Sequence, residues 1–189
     1  MSGSNGSSRP HRPSKPPVLK EYRDAVKRAT RLPSLPANLD MEGNALGLAM
    51  IGDAKSRTTL FTTLEEGDFH CEVNRIVFAG LKEAWKRKVP VNDAGTIRQW
   101  LRDFGVFEKL KAIAGYNETE AYALARCIDA AGIPGNATYY VTCLRKLRCE
   151  RAKLLVATDL LATAHDLECA AWIEQAEKKV GALKRKSKG

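Results

Sequence analysis

The sequence predicts an all-α protein in which a helical globule is followed by a long helical hairpin. Apolar residues recur three and four positions apart over most of the chain, which is the spacing of amphipathic helices. No segment between Val18 and Leu183 alternates polar and apolar residues for long enough to predict a strand. A length of 189 residues, 44% of them hydrophobic, fits one domain with tails.

Residues 1–35 are predicted to be a disordered basic tail that contains at most one short helix. Residues 1–17 are rich in Ser, Gly and Pro, and they hold too few large apolar side chains to offset the entropy cost of ordering. Apolar residues recur at helical spacing from Val18 to Arg31, and Pro33 ends that pattern. We therefore expect the folded part to begin at Pro36.

Residues 36–133 are predicted to form a globular helical subdomain. Asn38 can cap the first helix, because its side chain can accept a hydrogen bond from a backbone amide of the first turn. Asp40 and Glu42 follow, and acidic residues are favourable near the positive end of a helix dipole. The clearest helix runs from Glu72 to Lys88. Its apolar stripe is formed by Val73, Ile76, Val77, Gly80, Leu81, Ala84 and Trp85.

Three further helices complete the predicted globule. Asn92 or Asp93 can start the next helix, which Gly105 ends, and two short helices follow near residues 107–114 and 118–131. Aromatic residues on apolar stripes are predicted to pack in the core, since a platform for nucleic-acid bases would need them exposed among basic residues. They are Trp85, Trp100, Phe104 and Phe107, with Tyr139 as the exception because it lies off its stripe.

Residues 134–183 are predicted to form the helical hairpin. The strongest break in the chain, from Gly132 to Gly135, separates them from the globule, and Asn136 can cap the helix that follows. From Thr138 to Ala164 there is neither Gly nor Pro. The segment that follows carries a second apolar stripe, which is formed by Leu167, Ala170, Ile173, Ala176, Val180 and Leu183. A short turn near Thr163 to Asp166 can join two antiparallel helices, and one continuous long helix is the alternative.

The sequence contains no recognisable catalytic, cofactor or metal site. An ATPase motor needs a phosphate-cradling loop of the pattern G-x-x-x-x-G-K-[ST], and no segment matches it. His165 and Cys169 are four residues apart and could face one metal ion, but a zinc site needs about four ligands. The remaining histidines, His11 and His70, lie in no catalytic motif. We therefore expect that the protein is not an enzyme.

The cysteines and the hydropathy pattern indicate the compartment. The five cysteines form no CxxC pair and no dense framework, so we expect free thiols in a reducing environment. No run of about 18 apolar residues exists, and Met1 to Pro17 lacks the apolar segment of a signal peptide. These features predict a soluble, cytoplasmic protein with no membrane contact.

The charge of the chain is moderately basic. Lys and Arg number 31 against 22 for Asp and Glu, which gives a formal net charge of +9. Much of the excess lies between Arg9 and Arg31 and in a second basic tail, residues 184–189. Such runs commonly only solvate a chain end. A basic DNA-binding accessory protein, with weak DNA contact through both tails, is therefore kept as the alternative function.

Several motifs resemble, in the same order, those of the N-terminal domain of DnaB-type replicative helicases. The run from Pro36 to Gly47 is similar to that family's opening P-x-x-x-E-A-E-x-x-x-L-G, with Asp40 in place of the first Glu and Met41 in place of the Ala. The pair Asp68 and Phe69 then resembles its D-F-Y motif. Residues 74–78 are similar to the family's H-R-x-I-F motif, and residues 89–92 are similar to its P-[IV]-D motif. Gly115 and Tyr116 are similar to its G-G-x-x-Y-L motif. The family's last motif is matched by Asn136, Tyr140, Leu144 and Arg151.

This resemblance covers about residues 36–183 and implies a fold and a role. The family fold is a small orthogonal helical bundle followed by a long helical hairpin. Hairpins pair into dimers, the dimers form a collar on the hexameric helicase, and primase docks on the hairpin. The chain ends at Gly189, where the family has a linker and a motor, so we expect either a fragment or a gene that encodes only the collar domain.

The implied function is protein interaction in DNA replication. The expected partners are the C-terminal domain of primase, the replicative helicase, or both, and the expected assembly is a homodimer. Alignment with the family places Leu154 and Leu160 at primase-facing positions and Tyr140, Leu144 and Leu147 on the self-association stripe. The alternative is that all five side chains pack within the chain's own core.

Overall fold

The chain folds as eight α-helices, with no strand, within the residues that the computed structural model describes, which are 35–89, 93–164 and 166–186. The predicted all-α class is therefore confirmed. The predicted helix from Val18 to Arg31 lies outside the described residues. The helices are α1 Leu39–Ile51, α2 Ala54–Thr63, α3 Glu72–Lys86, α4 Ala94–Asp103, α5 Val106–Lys111, α6 Glu120–Asp129, α7 Ala137–Thr163 and α8 Cys169–Lys186, with 3₁₀ turns at Glu66–Asp68 and Pro134–Asn136.

Side-chain caps fix where several helices begin. The side chain of Asn38 accepts a hydrogen bond of 3.0 Å from the backbone amide of Met41, as predicted. Of the two predicted starts for α4, Asp93 is the cap, and it accepts from the amide of Thr96 at 2.8 Å. Asn136 occupies the cap position of α7 but makes no side-chain capping bond, so that part of its prediction was wrong.

Helix α1 lies at the centre of the globule and packs against α2, α3, α6 and α7. Gly47 permits this packing, because a Cβ atom there would lie only 2.4 Å from the carbonyl oxygen of Cys127 on α6. The aromatic residues predicted for the core pack as expected. Phe107 is buried, and Trp85, Trp100 and Phe104 are partly buried against the core.

The long helix α7 belongs to both halves of the fold. Ala137, Tyr140, Val141 and Leu144 in its first half are buried in the core of the globule. Its second half extends from the globule and packs against α8. The globule and the hairpin are therefore joined through one shared helix, which begins directly after the Gly132 to Gly135 break.

The second half of α7 and α8 form a closed hairpin, so the alternative of one continuous helix is wrong. The indole N–H of Trp172 donates a hydrogen bond of 2.9 Å to the carbonyl of Leu160, which lies in the last turn of α7 where carbonyls lack helical partners. Asp159 and Lys179 form an ion pair between the two helices. The chain reverses direction between Thr163 and Cys169, a turn slightly longer than predicted.

Candidate protein-interaction surface

A buried carboxylate organises the side of the globule from which the hairpin extends. Glu42 on α1 is fully buried, and its oxygens accept hydrogen bonds from the backbone amides of His70 at 2.6 Å and Cys71 at 3.2 Å. They also accept one of 2.9 Å from the side-chain amide of Asn74. Because these amides lie at the start of α3, Glu42 supplies negative charge where the helix dipole is positive.

Arg151 fastens the long helix to the globule. It is 7% exposed, and its guanidinium donates hydrogen bonds to the backbone carbonyls of Pro36 at 3.1 Å, Gly67 at 3.2 Å and Asp68 at 2.7 Å. Burial lowers the pKa of Arg151, and the nearby carboxylates of Glu42 and Asp68 oppose that effect. The second half of α7 therefore leaves the globule in a direction fixed by this contact.

The structure places two predicted self-association residues inside the chain's own core. Leu144 is fully buried and Tyr140 is 6% exposed. The Tyr140 hydroxyl accepts a hydrogen bond from the amide of Ile133, and its ring fills the space beside Gly132. These two residues cannot form a surface for a partner without opening the core, which corrects that part of the prediction. Leu147, one turn further along α7, is only half-buried.

Leu154 and Leu160, predicted to face primase, are both half-buried on α7. The side chain of Asp159 points towards α8, because it pairs with Lys179. Successive residues of a helix are rotated by about 100°, so Leu154 lies on the side of α7 opposite Asp159, away from α8. Leu160, the residue after Asp159, lies between the side that faces α8 and the side that faces away from it. Leu161 is seven residues after Leu154, shares its side, and is 45% exposed. The prediction did not include Leu161 as a contact.

The hairpin carries a concentration of exposed apolar side chains. Of the ten large apolar side chains that are exposed in the described part of the chain, five belong to the hairpin. We call these five the hairpin apolar residues. They are Leu155, Leu161, Leu167, Ile173 and Val180. Exposed apolar side chains on a helical arm are candidates for contact with another protein where they form a patch.

The exposed charged residues on the second half of α7 and on α8 carry both signs. On α7, Lys153 and Asp159 are exposed, and on α8, Glu174, Glu177 and Lys178 are exposed. A mixed polar rim around apolar side chains is typical of protein interfaces. A surface for the phosphate backbone would be dominated by Lys and Arg. The hairpin therefore fits a protein partner better than a nucleic acid.

The described residues also bear on metal binding, thiol chemistry and membrane-spanning helices. Among them, no three His, Cys, Asp or Glu side chains are placed to hold one metal ion. His165, which the sequence analysis considered together with Cys169 as a metal-binding pair, lies outside the described residues. Burial raises the pKa of the Cys127 thiol to about 11, which keeps it protonated and unreactive at neutral pH. None of the described helices has the length and apolarity needed to cross a membrane.

Comparisons with known proteins support the resemblance. The sequence model of the family described as DnaB-like helicase N terminal domain matches residues 34–146. Among solved structures, the chain is similar to the N-terminal domain of DnaB helicase from Mycobacterium tuberculosis, with 19% sequence identity and a TM-score of 0.66. That similarity covers 79% of this chain and 99% of the other. Among curated proteins, none matches the sequence.

Proposed function

Because the chain belongs to the family of DnaB-like helicase N-terminal domains, we propose that it is a protein-interaction module of DNA replication. In this role it associates with a second copy of itself and binds the primase C-terminal domain, the replicative helicase, or both, in the cytoplasm. The observation that carries the proposal is the closed hairpin, because α7 and α8 pack together and still leave five large apolar side chains exposed.

The flank of α8 is the surface we assign to self-association. Trp172 and Lys179 point towards α7, through a hydrogen bond and an ion pair respectively. Ile173 and Val180, each one residue further along, lie about 100° round the helix and are 47% and 41% exposed. Two copies related by a two-fold axis would bring these residues of one protomer against those of its partner. Leu147, which the sequence predicts for self-association, lies seven residues before Leu154 and therefore on the same side of α7, away from this flank.

The side of α7 away from α8 is the surface we assign to the second protein. Leu154 and Leu161 lie there, and both remain accessible when the hairpin is closed. Leu160 was predicted for the same role, but its carbonyl accepts the Trp172 indole, so we assign it mainly to holding the hairpin together. Apolar anchors seven residues apart suit a partner helix or groove.

The proposed role requires no chemistry from this chain. The sequence lacks the loop that an ATPase needs to cradle phosphates, so the motor of any helicase activity would lie outside it. The alternative function, DNA contact through residues 9–31 and 184–189, predicts binding that weakens steeply with salt because released counterions drive it. That contact would also disappear when these residues are deleted.

The test is size-exclusion chromatography with light scattering on the full chain. It would be run alone, with the C-terminal domain of primase from the same organism, and with its replicative helicase, at micromolar concentrations. We expect a dimer that co-elutes with at least one of the two proteins. A monomer that ignores both would contradict the proposal, and salt-sensitive DNA binding in the same sample would favour the alternative.

A further inference from the structure

A cleft of about 400 Å³ opens on the globule, among α4, α5 and the segment that leads into α6. We call it the α4–α6 cleft. Helix α4 contributes Arg98 and Arg102, α5 contributes Phe107 and Lys111, and Tyr116 with residues 118–121 forms the remaining wall. Its lining includes no residue of α7 or α8, so this cleft is separate from the hairpin surfaces. Its volume lies in the range of pockets that hold small ligands or single side chains.

The cleft already holds one carboxylate of the chain itself. One oxygen of Glu120 lies 2.5 Å from a guanidinium nitrogen of Arg102 and 3.6 Å from Nε of Arg98. The hydrogen bond from Arg102 is the main reason why the pKa of Glu120 is lowered. Each guanidinium has five N–H donors, so the two arginines retain donors after binding Glu120. Both side chains are about half exposed, which leaves those donors accessible.

The charge of the lining favours a singly charged anion. Arg98, Arg102 and Lys111 contribute three positive charges, and Glu118 and Glu120 contribute two negative ones. Lys111 also pairs with Glu108, and Glu118 pairs with Arg126, so these two outer partners cancel each other in the balance. The excess of one positive charge matches one carboxylate. A phosphate group carries more charge, and Glu118 and Glu120 would repel it more strongly.

Tyr116 and two apolar residues also line the cleft. The hydroxyl of Tyr116 is buried and makes no hydrogen bond to any described residue. Burial, assisted by the negative charge of Glu118, raises the pKa of Tyr116. Phe107 and Ala121 provide apolar wall beside the charged groups.

We infer that the α4–α6 cleft binds a carboxylate presented by a protein partner, from an acidic side chain or a chain end, with an adjacent apolar side chain against Phe107 and Ala121. The carboxylate accepts hydrogen bonds from the free N–H groups of Arg98 and Arg102, and Lys111 adds charge at the rim. This site is independent of the hairpin. If the hairpin does not self-associate, the inference that the cleft binds a carboxylate is unaffected. If the cleft binds no carboxylate, the proposal of hairpin self-association is unaffected.

The test is a titration of the full ¹⁵N-labelled chain followed by two-dimensional NMR. The probes are acetyl-leucyl-glutamate amide for an acidic side chain, acetyl-glycyl-leucine for a chain end, and acetyl-leucyl-glutamine amide as the uncharged control. We expect saturable shifts of amides around Arg98, Phe107 and Thr119 with at least one acidic probe. The control should bind at least tenfold more weakly, because it lacks the charge. Equal shifts with the control, or saturable shifts with inorganic phosphate but neither acidic probe, would overturn the inference.

Variants assign the shifts to the cleft. The double substitution Arg98→Gln and Arg102→Gln should weaken binding of the acidic probe about tenfold, and Lys111→Gln alone about threefold. Arg145→Gln, an exposed arginine on α7 outside the cleft, is the matched control and should leave binding unchanged. If the double variant does not fold, Lys111→Gln decides alone. Unchanged affinity in the folded cleft variants would show that the cleft is not the binding site.

Discussion

The carboxylate of Glu42 on α1 accepts a hydrogen bond of 2.9 Å from the side-chain amide of Asn74 on α3. Both residues are buried; they lie 32 residues apart in the sequence and belong to two different motifs. Pro36, Asp68 and Arg151, three other residues that carry the family resemblance, meet beside them. The shared motifs therefore describe a structural network that holds the hairpin on the globule.

Replacing Glu42 with Ala should destabilise the globule strongly. The change leaves the amides of His70 and Cys71 and the side chain of Asn74 buried without an acceptor. We expect the free energy of unfolding to fall by about 3 kcal/mol or more, measured by urea denaturation followed by circular dichroism. The matched control is Glu72→Ala on exposed α3 surface, with a loss of about 0.5 kcal/mol. A similar small loss for Glu42→Ala would argue against the network.

Replacing Arg151 with Ala should loosen the hairpin from the globule. The substitution removes three hydrogen bonds to backbone carbonyls, two of which lie at Gly67 and Asp68. We expect a loss of about 2–3 kcal/mol in stability and faster amide hydrogen exchange in the second half of α7. Arg145→Ala, at an exposed position of α7, should change neither quantity. Unaltered exchange in the Arg151 variant would mean that the contact does not hold the helix.

Replacing Trp172 with Phe tests the closure of the hairpin. Phe keeps an aromatic ring but removes the N–H group that donates to the carbonyl of Leu160. We expect a stability loss of about 1 kcal/mol, with faster exchange confined to the last turn of α7 and the start of α8. Trp100→Phe is the control, because that indole donates to Gly80 within the globule. Equally fast exchange in the hairpin of both variants would show that this hydrogen bond does not close the hairpin.

The Cys127 thiol should make stability depend on pH in the alkaline range. Its pKa rises from 9.0 to about 11 in the folded chain, mainly through burial. Above pH 9 the unfolded chain loses this proton and the folded chain keeps it, so the folded state loses stability as pH rises towards 11. The stability difference between the original chain and Cys127→Ala should therefore narrow by up to about 2.7 kcal/mol over this range. Urea denaturation at several pH values measures it, and a constant difference would contradict the burial of the thiol.

Much of the fold could be predicted because helical periodicity and capping are local properties. The stripe in residues 72–88, the Asn38 cap and the break before Asn136 all depend on residues close in sequence. The apolar stripe that Tyr140, Leu144 and Leu147 form on α7 does not by itself show which surface covers it. Tyr140 and Leu144 have the same spacing whether they face a second copy or α1, and only the three-dimensional packing shows that they face the core. Periodicity identifies an apolar side but not what covers it.

The contacts that position the hairpin could not be predicted from spacing alone. Arg151 interrupts the apolar stripe between Leu147 and Leu154, so its charge indicates an exposed residue. It is buried because carbonyls from residues 36, 67 and 68 converge on it, and these come from distant parts of the sequence. Ile173 and Val180 belonged to a predicted stripe, but their exposure follows from the rotation of α8 that places Trp172 and Lys179 against α7.

The central claim is that the exposed flank of α8 joins two copies of the chain. Light scattering after size exclusion tests it most directly, with Ile173→Glu and Val180→Glu combined in one variant. Ile133→Glu is the matched control, because Ile133 is equally apolar and 66% exposed but lies on the globule. We expect twice 20.8 kDa for the original chain and for the control, and a folded monomer for the double variant. A dimeric double variant, or a monomeric original chain, would contradict the claim.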